Sequence, residues 1–278
     1  MGWLWQDMKF GVRTLLKSRG FVVTAVLALA LGIGSTTAIF SVIDNVLLEP
    51  FPYTDGQRLV ELQIHDSSST EPYGRQAFPG AEFLDYQEQI HAFSGSIGVT
   101  QAQVLWSGPE ALESFKGAKV TGNTFQFLGI APLLGRAATP ADAKPDAPPT
   151  FVMSYKLWQK RFNGDKGLLG KTFTLDGTGR TLIGIMPKRF ALWGADLWIP
   201  TMADRAEKDE NAEYLCLIGR LKPGLTPEAA QPDAALVAQR LAKVYPKLYS
   251  RKFGSAQESD NQPVGMAGQR LAFCRLAG

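Results

Sequence analysis

Between Arg19 and Asp44 the chain carries no charged residue, and that run limits what its N-terminal part can become. It reads G-FVVTAVLALALGIGSTTAIFSVI, with twelve Phe, Val, Leu or Ile side chains in residues 21–43. Wound as a helix at ~1.5 Å per residue, those residues extend about 34 Å, enough to cross the hydrocarbon of a bilayer. The twelve large apolar side chains together favour insertion by about 5 kcal/mol, which the scattered Ser and Thr hydroxyls do not cancel. Those hydroxyls can also bond back to helical carbonyls.

The flanks set the orientation. Residues 1–20 hold Lys9, Arg13, Lys17 and Arg19 against Asp7, whereas residues 44–61 hold Asp44, Glu49, Asp55 and Glu61 against Arg58. Positive charge stays on the cytoplasmic side, so the N-terminus is expected inside. Everything after residue 48 is then expected beyond the inner membrane, in the periplasm of a Gram-negative cell. Residues 1–20 read as an amphipathic interfacial helix. Trp5, Met8, Val12, Leu15 and Leu16 recur on one face, and Gln6, Lys9, Arg13 and Lys17 on the other, with Phe10 off the pattern. Such a helix lies among lipid headgroups. Residues 21–48 are the predicted transmembrane helix. Within it Ala30, Gly34 and Ala38 form a stripe of small residues, the surface by which one membrane helix packs against another. A cleaved signal peptide is the alternative, with Thr36-Thr37-Ala38 as a passable cleavage site. The length of the segment, the apolar Phe40-Ser41-Val42-Ile43 beyond that site and the long patterned leader count against it.

The whole chain has a formal net charge of +3, which the first twenty residues already supply, so the remainder is near neutral and gives no ground for a nucleic-acid partner. Hydrophobic residues at 45% and charged residues at 20% describe a globular body. Residues 49–252 are expected to form an α+β domain, as one body or two subdomains, with residues 253–278 as a disordered or aberrant tail. Pro50 and Pro52 end the first helix. Strands are predicted at 58–64, 99–106, 113–120, 197–199 and 214–221. Helices are predicted at 81–91, at 123–128 with Gly129 as the stop, at 155–162, and from Thr226-Pro227-Glu228 to 245. Residues 138–149 read as a Pro- and Asp-rich loop. Residues 171–186 read as a hairpin turning at Asp176-Gly177.

No set of residues suggests chemistry. Gly164 to Thr172 resembles a phosphate-binding loop, but Asp165 stands where its first glycine belongs, and Lys171-Thr172 opens a strand where the motif needs a helix. Glu82, Asp85 and Glu88 recur on one helix and read as a solvated face. Ser96 and Ser154 lack a nucleophile-elbow context. His65 and His91, with Cys216 and Cys274, form no ligand spacing. Trp158, Trp193 and Trp198 read as core or contact residues. No catalytic residue, metal or cofactor is expected.

Several strings carry a resemblance. They run from Arg13-Thr14-Leu15-Leu16-Lys17 and Leu29-Ala30-Leu31-Gly32-Ile33-Gly34 through Leu47-Leu48-Glu49-Pro50-Phe51-Pro52-Tyr53. They continue in Val120-Thr121-Gly122-Asn123, Phe127-Leu128-Gly129, Gly184-Ile185-Met186-Pro187, Asp196-Leu197-Trp198-Ile199-Pro200 and Gly219-Arg220-Leu221-Lys222-Pro223-Gly224. In their order and spacing the chain resembles MacB-like ABC transporter permeases, of the acidobacterial-type duplicated orphan permease family, over roughly residues 10–250. The resemblance implies a periplasmic core domain after the first membrane helix, three further membrane helices, and a separate cytoplasmic ABC ATPase that supplies energy for export. It implies a non-catalytic domain that relays conformational change and contacts partners or substrate, with other permease helices or a second permease copy alongside. The sequence holds no second apolar span, so the expectation is a permease shortened by truncation, by frameshift or deliberately. A membrane-tethered sensor or adaptor, or a secreted protein with a cleaved signal peptide, is the competing expectation.

Overall fold

The computed structural model describes residues 19–43, 53–64, 75–108, 111–206, 213–249 and 264–267; for residues 19, 21, 25, 37–43 and 264–267 it describes the backbone alone. Residues 1–18 of the amphipathic segment expected over 1–20, the stop at 49–52, His65 and Cys274 lie outside the described residues. The chain divides into two units, Met1–Pro50 and Phe51–Gly278.

The first unit contains helix α1, Arg19–Ile43, 25 residues long. Its three described hydroxyls turn inward along the backbone. Thr24 Oγ1 donates to the Gly20 carbonyl at 2.8 Å, Thr36 Oγ1 to that of Gly32 at 2.8 Å, and Ser35 Oγ to that of Leu31. These bonds to the preceding turn satisfy the polar atoms without water. Val23, Val26, Leu27, Leu29, Leu31 and Ile33 are all exposed, Leu31 by 72%. At ~100° per residue they fall within an arc of about 200°, and Thr24, Ala28, Gly32, Ser35 and Thr36 occupy the rest of the circumference. Among the described residues no helix is long and apolar enough to cross a membrane, and the longest stretch of α1 with every side chain described is 26–36.

The second unit is mixed α and β. Its strands are β1 (Leu59–Ile64), β2 (Ala77–Pro79), β3 (Phe93–Ser107), β4 (Leu112–Thr121), β5 (Leu134–Gly135), β6 (Thr150–Met153), β7 (Thr172–Leu175), β8 (Thr178–Ile185), β9 (Leu197–Thr201), β10 (Tyr214–Leu221) and β11 (Val264–Ala267). Its helices are α2 (Gly80–Gln89), α3 (Thr124–Leu128), α4 (Tyr155–Phe162) and α5 (Pro227–Val244). The sheet runs β11-β1-β10-β3-β4-β9-β6-β8-β5, with β2 on β10 and β7 on both β3 and β8.

Local chemistry explains the ends of these elements. Ser154 Oγ caps α4 by accepting from Leu157 N at 3.1 Å, and Thr226 Oγ1 caps α5 by accepting from Ala229 N at 3.3 Å with Pro227 in the first turn. Gly129 stops α3 in the left-handed region at φ +71°, the conformation that favours glycine at a helix C-terminus. Asp176 and Gly177 both take positive φ, 50° and 73°, which suits the two-residue turn of the β7–β8 hairpin.

One consequence of the pairing is a closed ring. β3 pairs with β4, β4 with β9, β9 with β6, β6 with β8, β8 with β7, and β7 returns to β3 through Trp106 opposite Leu175. Asp176 completes the closure. Its N–H donates to the Leu105 carbonyl at 2.8 Å, and its carboxylate accepts from Leu105 N at 2.8 Å. Inside the ring lie Val104, Trp106, Phe151, Met153, Phe173, Leu182, Leu197 and Ile199. The alternate side chains of the same strands, Val99, Val120, Val152 and Trp198, face a second core with Phe125 and Phe190. A third core lies where β1 and β10 meet α2 and α5, and α5 buries Ala230, Ala234, Val237, Ala238 and Leu241 at helical spacing.

The structure corrects three expectations. Phe51–Gly278 is one compact unit, so the two-subdomain alternative is not realised. The 15-residue β3 is the reason: its first half pairs with β10 and its second with β4 and β7. Four residues of the expected tail, Val264–Ala267, pair antiparallel with β1. Strands β2, β5 and β6 were not expected either. They are two to four residues long, too short for alternation to register.

Candidate functional site: a carboxylate clasp and two clefts

Helix α2 carries Glu82, Asp85 and Glu88, and here the solvated-face expectation fails for two of the three. Glu82 is fully buried at 0% exposure. Arg75 grips it with both ends of the guanidinium, Nη1 to Oε2 at 2.6 Å and Nη2 to Oε1 at 2.7 Å. The Tyr249 hydroxyl donates to Glu82 Oε1 and lies 2.7 Å from the Tyr86 hydroxyl. The Arg75 guanidinium sits over the rings of Phe78 and Tyr249, 5.0 Å from each centroid. One turn along, Asp85 accepts from Arg205 Nη1 at 2.5 Å and from the Tyr245 hydroxyl at 2.6 Å. Arg205 also reaches Glu88 at 2.8 Å, and only Glu88 remains largely in solvent.

The electrostatics follow from burial and pairing. Burial works to lower the Arg75 pKa, but its hydrogen bonds to Glu82 and the charge of that carboxylate outweigh burial and hold the guanidinium above its ordinary value. Burial raises the phenol of Tyr86, and the Glu82 charge adds to it. The Tyr249 phenol is likewise pushed up, first by burial and then by Tyr86 and Glu82. Tyr245 is raised to about 12 by burial and by its bond to Asp85. All of these shifts keep the phenols protonated as donors, so the cluster is a fixed hydrogen-bond assembly and not a proton relay at neutral pH.

The remaining candidates are scattered. Ser96 is buried, taking bonds from Gln87 Nε2 at 3.1 Å and, on its carbonyl, from Asn123 Nδ2 at 2.9 Å. Ser154 is a helix cap. Cys216 is buried on β10. The Trp158 indole donates to the Asp165 carbonyl at 2.9 Å and packs in the ring core. Trp198 is fully buried and donates to the Leu192 carbonyl at 3.3 Å. In the glycine-rich segment, Asp165 caps a short 3-10 turn, Lys166–Leu168, and Thr172 opens β7. No helix N-terminus follows to face a phosphate. Among the described residues no group of His, Cys, Asp and Glu is arranged to hold a metal ion. Ala30 and Gly34 are exposed on α1, and open space surrounds Gly34; the side chain of Ala38 lies outside the description.

Two open clefts are present. One, of about 310 Å³, lies between the outer face of the β3–β4 hairpin and Trp193, whose backbone is left-handed at φ 58°. The other, of about 410 Å³, is lined by His91, Ser96, Asn123 and Lys222 among others. Neither holds a buried charged side chain aimed into it. The clasp partners Arg205, Tyr245 and Tyr249 were missed in the sequence because they lie 120 or more residues from α2 along the chain, and Arg75, seven residues before Glu82, because it precedes the helix and shares no helical spacing with it. A signal existed: α2 offers no basic residue three or four positions from Glu82 or Asp85, so their partners had to come from elsewhere.

The comparisons agree with this fold. The family model described as MacB-like periplasmic core domain matches residues 22–235, well over half of the chain. No curated protein matches it. Three solved structures share the fold. One is the periplasmic region of MacB from Actinobacillus actinomycetemcomitans, at TM-score 0.55 and 10% identity, covering 81% of this chain and 94% of that one. A second is the extracellular domain of the noncanonic ABC-type transporter YknZ from Gram-positive bacteria, at 0.53 and 13%, covering 76% and 100%. The third is a domain of a putative permease protein from Porphyromonas gingivalis, at 0.50 and 16%, covering 78% and 92%. At such low identity these structures speak for the fold alone, while the match along residues 22–235 carries the assignment: the chain belongs to the MacB-like periplasmic core domain family, found in permeases of ABC-type transporters.

Proposed function

We propose that this chain is a non-catalytic permease component of a MacB-like ABC export system, anchored in the inner membrane by α1 with its N-terminus in the cytoplasm and unit Phe51–Gly278 in the periplasm. One observation carries the reading. The family match begins at residue 22, inside a helix whose large apolar side chains are exposed over about half of its circumference. A helix with that much bare apolar surface needs hydrocarbon or other protein around it. Its back-bonded hydroxyls suit a medium without water. A match that includes the helix also favours a retained anchor over a removed leader. The Ala30, Gly34 and Ala38 stripe is then the surface for further permease helices or a second copy. The periplasmic unit works by binding and relaying motion, and energy comes from a separate cytoplasmic ABC ATPase.

Topology is the test. Added protease should leave the bulk of the polypeptide intact in whole cells and digest it in spheroplasts, and the chain should resist alkaline extraction from membranes. Protection of the bulk in spheroplasts, with cleavage only after lysis, reverses the topology and removes the assignment. Mass spectrometry of the mature N-terminus separates the secreted alternative, which requires a start near Ser41. Purified protein is expected to turn over no ATP, and turnover abolished at Lys171 would overturn the non-catalytic reading.

A further inference from the structure

We propose that residues 245–249 form a strap that opens from helix α2 as a unit while the rest of the domain stays folded. The argument lies in how the partners are divided. Each of the two inward carboxylates on α2 has one arginine and one tyrosine. Glu82 has Arg75 and Tyr249; Asp85 has Arg205 and Tyr245. Both arginines lie outside the strap, and both tyrosines lie on it. A buried carboxylate stripped of its arginine is stranded at high cost, whereas one that loses a neutral phenol keeps its charge compensated. The strap can therefore leave without stranding a charge, and the bidentate Arg75–Glu82 pair stays behind.

The junction of the strap with helix α5 fits this division. Helix α5 stops at Val244, and its last turn passes into the strap through Tyr245 N to the Leu241 carbonyl at 2.7 Å. Within the strap, Leu248 N reaches the Tyr245 carbonyl at 2.9 Å. Helix α5 has anchors of its own besides the strap: its apolar stripe and Asp233, whose carboxylate accepts from Ala92 N at 2.7 Å, although Tyr249 of the strap shares the third core with that stripe. Opening lifts the Tyr249 ring from one face of Arg75 and leaves Phe78 on the other. The vacated slot is then lined by Phe78, Tyr86 and a neutralised ion pair. The inference concerns the periplasmic-type unit by itself and stands whether or not α1 spans a bilayer.

Hydrogen exchange on the full chain in detergent tests it, comparing wild type with the double variant Tyr245→Phe, Tyr249→Phe. Loss of two phenol hydrogen bonds to carboxylates should speed exchange of the bonded Tyr245 and Leu248 amides of the strap by about tenfold or more, with β3 and β4 unchanged. Equal acceleration across β3 and β4 would make the strap part of the cooperative core and overturn the proposal. Unchanged exchange at 245–249 would show that the phenols do not hold it, which also overturns it. Glu82→Gln provides the contrast. It should weaken protection across the third core, and an effect confined to 245–249 would contradict the assignment of Arg75–Glu82 as the fixed part.

Discussion

Glu82 illustrates why a residue's surroundings cannot be taken from its type. A carboxylate at 0% exposure is tolerated because Arg75 meets both of its oxygens and a tyrosine hydroxyl adds a third bond. Glu82→Ala leaves the Arg75 guanidinium without its counter-charge and should destabilise the domain by roughly 3 kcal/mol or more, measured by urea unfolding. Asp142 offers a second residue-scale test. Arg136 bonds to it at 2.6 and 2.7 Å, and the Thr139 amide and hydroxyl at 2.8 and 2.7 Å. These bonds, the Arg136 pair first, hold the carboxyl down at about 2 against opposition from burial. A folded-state pKa below the unfolded one adds stability at higher pH. That contribution is complete above pH of about 4 and fades as pH falls towards 2. An NMR titration of the Asp142 carboxyl should find its midpoint near 2, and Arg136→Ala should return it towards the ordinary range.

At the scale of elements, the β7–β8 hairpin was legible from Asp176-Gly177 alone, because two consecutive left-handed residues suit few side chains. Its second role was not. Asp176 also joins the turn to Leu105 on β3 and so closes the strand ring. Asp176→Ala removes the acceptor for Leu105 N and should cost about 1 kcal/mol, seen as faster amide exchange at Leu105 ahead of the rest of β3. Helix α2 was legible as a helix, but the fate of its carboxylates was not. Periodicity locates a face; it does not say what covers that face. The short strands β2, β5 and β6 exist because neighbours present an edge to them, a fact absent from their own few residues.

At the largest scale, β3 makes one body of unit Phe51–Gly278, which could have been two. It contributes alternate side chains to the ring core and to the second core, and its first half pairs with β10 beside the third. Gly117 on β4 marks how tightly the ring is filled, since an added Cβ would stand 2.4 Å from Val104 Cγ2 inside it. Gly117→Ala should therefore lower stability by about 1–3 kcal/mol. The loss should shift one shared transition, with tryptophan fluorescence and far-ultraviolet circular dichroism moving together. Separate transitions would mean that β3 does not couple the cores.

The sequence by itself determined the apolar run of α1 and most strands and helices, with the Gly129 stop and the Thr226 opening, because these depend on spacing within a few tens of residues, and it carried the family in the order of short strings along the chain. Only the tertiary structure decided that the strands close into a ring, that residues 264–267 pair with β1, and that Glu82 and Asp85 are clasped from residues 75, 205, 245 and 249. Those outcomes join chain segments up to about two hundred residues apart. Local periodicity carries no information about which distant edge or charge will arrive, and burial changes what each side chain requires once it does.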